Sequence, residues 1–228
     1  MQTQRITVPS LFTIFVGVSV CLLAFDAYSQ TVRDNQSPHL TSANQGTNAG
    51  NSTDEGFHVA LNKKPLADFI TEVRKATSGG GLDVNIPASL SIEADRAPDG
   101  LLSNIEVTQS AGDARFKQLA ANFATALSES HALAPFEEAK HVRITFNLDQ
   151  SAISSSLLFK AKSVERAARM VKGYDALVHR FAIKKRGSDE GLILDSLNAA
   201  SNDENVVISF AMRRDTFTAL LSRMLATY

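Results

Sequence analysis

The sequence predicts an α+β chain: a small antiparallel sheet with a helix packed on it, followed by a mainly helical subdomain carrying one strand. Three observations carry this. Short segments alternate apolar and polar residues, as in Leu90, Ile92, Ala94 and again in Val142, Ile144, Phe146, Leu148. Longer segments repeat their apolar residues at helical spacing, as Phe116, Leu119, Ala120, Phe123 and Leu127 do. Between them stand turn residues, Pro98-Asp99-Gly100 being the clearest. Alternation reads as a half-buried strand and the i, i+3, i+4, i+7 stripe as an amphipathic helix.

The 228 residues begin with the features of an export leader. A short start carrying Arg5 precedes an apolar run from Leu11 to Phe25, and the small residues Ala27 and Ser29 before Gln30 fit a cleavage site. The run is short for a membrane span, which needs about 20 apolar residues, so cleavage is the expected outcome and a retained signal anchor the alternative. Cys21, inside this run, is the only cysteine, so the cleaved product has no disulfide to form. From Thr31 to Gly56 the chain is Asn, Ser, Thr, Gln and Gly with almost no large apolar residue, which predicts a disordered linker.

Order is expected from Phe57. Pro65 suits a first helical turn, and Leu66, Phe69, Ile70 and Val73 then form a stripe that Gly79-Gly80-Gly81 terminates. Leu90 to Ala94 and a second strand with Ile105 and Val107 on one face flank the Asp99-Gly100 turn of a hairpin. Asp113 is placed to cap the helix through Phe116 and Leu127, and Val142 to Leu148 form a third strand. Ser151 to Ala161 reads as a link. Ser163 caps a long helix whose buried face is expected to be Val164, Ala168, Val171, Leu177, Val178 and Phe181. A short helix over Leu192, Ile193, Leu194 and Leu197, a turn at Ser201 to Asn205, a strand through Val206, Ile208, Phe210 and Met212, and a last helix capped by Asp215 complete the reading.

Residues 90–148 resemble the TonB C-terminal domain family. The resemblance rests on Asp99-Gly100 in the hairpin, Ile105 and Val107 in the second strand, Ser110-Ala111-Gly112-Asp113 before the helix, Ala120-Ala121 within it, Pro135 in the next loop and Ile144-Thr145-Phe146 in the last strand. It implies a non-catalytic periplasmic module that pairs by strand addition with an extended peptide of an envelope partner, an outer-membrane transporter being one candidate. By that analogy the exposed edge strand, and hence the partner-binding site, is Val142, Arg143, Ile144, Thr145, Phe146, Asn147 and Leu148. The family's anchoring helix carries a histidine, and Leu11 to Phe25 has none. The expected layout is then signal peptide or anchor (1–29), linker (30–56), TonB C-terminal-like domain (57–150) and helical α/β subdomain (151–228), in the periplasm or secreted.

No motif in the sequence anchors a reaction. His131, Glu137, Glu138 and His141 lack the spacing of a zinc enzyme, no nucleophile elbow occurs, and no cofactor or metal is called for. A formal net charge of -1 argues against a protein built to hold nucleic acid, and the absence of tryptophan gives no support to stacking platforms for single strands. The basic runs Lys184-Lys185-Arg186 and Arg213-Arg214 offset a helix end or meet an anionic lipid or an acidic partner. Membrane contact otherwise comes only through an uncleaved N-terminal segment. A hydrolase with scattered residues and an envelope scaffold stand as alternatives to the binding module.

Overall fold

A computed structural model describes residues 62–78, 86–134 and 136–226. The expected leader, linker and triple glycine lie outside the described residues. The elements are α1 (Lys63–Ser78), β1 (Ala88–Arg96), β2 (Leu102–Ala111), α2 (Arg115–Glu129), β3 (His141–Leu148), β4 (Ala152–Lys160), α3 (Val164–Lys184), α4 (Asp189–Asp195), β5 (Leu197–Asn202), β6 (Asn205–Arg213) and α5 (Arg214–Ala226). The class is α+β, built on an antiparallel six-stranded sheet in the order β2-β1-β3-β4-β6-β5.

Alternation decides the faces. Leu90, Ile92 and Ala94 of β1 stand beside Phe146, Ile144 and Val142 of β3, and all six are buried. Leu157 and Phe159 of β4 and Val206, Ile208 and Phe210 of β6 continue the same surface. Helices α2, α3 and α5 cover this face. The opposite face presents a row of small polar side chains in register across all strands: Thr108, Ser91, Thr145, Ser156, Ser209 and Asn198. Ring contacts tie the layers, Phe69 of α1 on Phe123 of α2 at 5.4 Å and Phe123 on Phe146 of β3 at 5.6 Å.

The hairpin turn forms as its residues dictate. Gly100 has φ of +88°, which an L side chain rarely adopts, and a Cβ there would lie 2.6 Å from the Ala134 amide nitrogen. The Asp99 carboxylate accepts the Leu101 N–H at 3.0 Å.

Several expectations are corrected. The link at Ser151 to Ala161 is strand β4, paired with β3 across position 150 over its whole length, so the segments on either side share one sheet and one core. Ser155 hid it: serine occupies a buried position between Phe146 and Phe210, which breaks the apolar alternation. The C-terminal segment therefore holds three strands rather than one, since Leu197 to Asn202, read as helix end and turn, is β5. Ile105 does not face the core with Val107. It lies 37% exposed at a break in β2 register, next to Asn104 at φ 51°.

On α3 the buried residues are Ala167, Tyr174 and Val178, whereas Val164 is 51% exposed and Ala168 is exposed. The Ser163 hydroxyl caps the helix as expected by accepting the Arg166 N–H, but Asp113 bonds the Arg115 N–H from outside the first turn and Asp215 lies inside the first turn of α5.

Arg96 at the end of β1 is only 7% exposed and meets main-chain carbonyls rather than a carboxylate. It donates to Leu133 at 2.7 Å, Ala134 at 2.8 Å, Pro98 at 3.2 Å and Glu137 at 3.4 Å. Burial pushes its pKa down, with Glu137 and Asp99 acting the other way. The side chain thus fastens the loop after α2 to the sheet. Replacing it leaves those carbonyls without their donor, so Arg96→Met is expected to lower the unfolding free energy by about 3 kcal/mol. Urea denaturation of the purified chain should show this as a lower midpoint with an unchanged slope.

Candidate functional site: an open strand edge and a groove beside α3

Strand β3, where the resemblance puts partner binding, is an interior strand. Val142 to Leu148 pair with Ala94 to Ala88 of β1 on one side and with Phe159 to Ile153 of β4 on the other. The side chains of Val142, Ile144, Phe146 and Leu148 are buried. On the open face Arg143 bonds Glu93 at 2.8 Å and Asn147 accepts from Ser89 at 2.8 Å, with Thr145 between them. The backbone groups that a visiting strand would need are already in use, so the expected edge is closed by the chain's own β4.

The sheet ends instead in β2 and β5. Strand β2 breaks register twice, leaving its longest regular run of pairs from Glu106 to Gln109. Strand β5 is regular over all six residues, Leu197 to Asn202, and contains no charge, no proline and no bulge. Ser196 accepts the Ala211 N–H at 3.2 Å, which sets the alternation of the ladder. It directs the main-chain groups of Asn198, Ala200 and Asn202 to β6 and those of Leu197, Ala199 and Ser201 outward. Among the described residues no strand pairs with that outer side.

A groove of about 510 Å³ runs along α3 on the helix-covered face. Its floor is Phe159 of β4, Val206 and Ile208 of β6, and Ala199 of β5. One wall is Phe136, held against Phe159 with ring centroids 5.2 Å apart, in the loop that Arg96 fastens. The other is the flank of α3 carrying Arg166, Met170, Gly173, Leu177 and Arg180. These recur at helical spacing and set the two arginines about 21 Å apart along the axis, at 1.5 Å per residue. A Cβ on Gly173 would meet nothing within 4 Å, so packing does not require glycine there. Mid-helix glycine costs about 1 kcal/mol relative to alanine, and here it widens the groove.

The two arginines differ. Arg166 pairs with Glu138, which also accepts the Lys162 N–H at 3.2 Å. Burial works to raise the Glu138 pKa, but the Lys162 N–H and the Arg166 guanidinium outweigh it and hold the carboxyl below its ordinary value. Arg180 is exposed and has no ion pair among the described residues.

The histidines and acids weighed in the sequence do not converge. His131 Nδ1 lies 2.8 Å from the Asp99 carbonyl, His141 is exposed beside Asp95 at 3.1 Å, and Glu138 serves Arg166. None of them lines the groove, nor does His179. Among the described residues no group of three His, Cys, Asp or Glu is placed to hold a metal ion.

No family model, curated protein or solved structure matches the chain.

The Glu138–Arg166 bridge makes a pH-dependent contribution of definite sign. A carboxyl whose native pKa is depressed stabilises fully above its unfolded pKa and loses that stabilisation as pH falls through the native value. Wild type is expected to exceed Glu138→Gln in stability at neutral pH, and the difference should vanish in acid below the native pKa of Glu138. Paired thermal melts across acid pH measure it.

Proposed function

We propose that this chain is an exported, non-catalytic binding module of the cell envelope that engages an extended segment of another envelope protein or peptide by strand addition at β5. The observation that carries it is the uncharged, unbroken edge from Leu197 to Asn202, whose outward main-chain groups on Leu197, Ala199 and Ser201 are those an added strand would use. Native edges are usually blunted by bulges or charges. Strand β2 follows that rule, with two register breaks and Glu106, while β5 does not.

The TonB-like pattern over residues 90–148 supports the same mode of recognition, since strand, strand, helix and strand follow one another in β1, β2, α2 and β3. The engaged edge is β5 rather than the β3 that the resemblance implies, because β4 occupies β3. The leader-like residues 1–29 support an envelope location, and an outer-membrane transporter is one partner of fitting chemistry.

Ser201→Pro removes an outward N–H without touching the β6 ladder and fixes φ near a value that an edge strand tolerates. With a photo-crosslinking residue at the exposed Asn198 in the native host, the wild-type chain is expected to give an adduct with an envelope protein. Ser201→Pro should reduce that adduct about tenfold, equivalent to about 1.4 kcal/mol, with unchanged circular dichroism. Equal adducts with and without the proline, or an equal yield from the same residue placed at Glu106 on β2, would overturn the assignment to β5.

A further inference from the structure

Independently of the strand edge, we infer that the groove beside α3 binds a single-chain anionic amphiphile, its acyl chain on the Phe159, Val206 and Ile208 floor and its carboxylate on Arg180. The volume of about 510 Å³ falls in the range of small-molecule sites. What separates an acyl chain from a peptide is the supply of hydrogen bonds. The floor strands β4 and β6 are each paired on both sides, the unpaired main-chain groups of β5 point away from β6 at the sheet margin, and the α3 wall spends its main-chain groups inside the helix. A peptide lying there would bury N–H and C=O groups without partners, which is costly, whereas a hydrocarbon chain has none to satisfy.

Recognition of charge is left to the arginines, the charged residues of the lining, and they are not equivalent. Arg166 is committed to Glu138, while Arg180 has no ion pair among the described residues. The carboxylates carried by α3, Glu165 and Asp175, do not line the groove, so an anion reaching Arg180 meets no acidic lining residue. Guanidinium and carboxylate form a charge-assisted, two-pronged contact. Gly173 opens space between Met170 and Leu177, and the methionine adapts to the chain that fills it.

The test titrates the purified full chain with dodecanoate below its micelle concentration and, in parallel, with uncharged dodecanol, by displacement of a dansyl fatty-acid probe. Saturable one-to-one binding is expected, with dodecanoate about tenfold tighter than dodecanol. Arg180→Gln should remove that preference while leaving dodecanol unchanged. Gly173→Leu, which fills open space, should weaken both about tenfold or more with unchanged circular dichroism, and Lys172→Gln, away from the lining, should alter neither.

Equal affinity for acid and alcohol, or an undiminished preference in Arg180→Gln, would overturn the proposal; Arg180→Gln decides it even where Gly173→Leu does not fold. An alternating Asp-Leu octapeptide that displaces the probe at lower concentration than dodecanoate would assign the groove to acidic peptides and equally overturn it.

Discussion

The pairing of β3 with β4 is the constraint on which the molecule turns. Asp149 makes it by accepting the N–H groups of Ser151 and Ala152, each at 2.6 Å, while its own N–H donates to the Ala152 carbonyl at 3.0 Å. The N–H groups of Ala152 and Ser151 hold its carboxyl below the ordinary range, as an acceptor in a tight turn should be held. Arg214 at the start of α5 fastens the same turn by donating to the Asp149 carbonyl at 3.0 Å, and its main-chain N–H reaches Ser151 at 2.9 Å. Once β4 lies on β3, β6 lies on β4 and the six strands share a single buried face.

Two functional consequences follow. In a three-stranded unit of β1, β2, α2 and β3, the outer side of β3 would be free to receive a partner; here the chain's own β4 performs that strand addition, and the open margin moves to β5. The same pairing makes the groove, because Phe159 of β4 and Val206 and Ile208 of β6 become neighbours beneath α3. Arg96 completes it from the other half by fastening the loop that carries Phe136 onto Phe159. Edge and groove are thus products of one junction between the two halves of the chain.

Local pattern was legible wherever a segment's partners were its own neighbours. Leu66, Phe69 and Val73, the α2 stripe, the Asp99-Gly100 turn and the Ser163 cap all read correctly because helix period, positive φ and capping are short-range properties. Strands β4 and β5 did not. Ser155 sits in the core where alternation demands an apolar residue, and Leu-Asn-Ala-Ala-Ser-Asn has the composition of a loop, so both segments are strands because β3 and β6 offer them ladders. The rotation of α3 that buries Ala167 and Tyr174 rather than Val164 and Ala168 was hidden for a related reason: the apolar residues of that helix spread over more than one face, and the sheet selects among them.

The candidate site shows the same division. Arg166, Met170, Gly173, Leu177 and Arg180 share a helical flank by spacing alone, yet nothing in the spacing says that Phe159 and Ile208 lie opposite them or that Glu138 claims Arg166 and leaves Arg180. By itself the sequence determined the α+β class, most of the helices and turns, and the strands β1, β2, β3 and β6, because each follows from side-chain periodicity and backbone preference over a few residues. Only the tertiary structure decided which strand lies at the margin and where a groove opens, because both depend on hydrogen bonds and contacts between residues tens of positions apart.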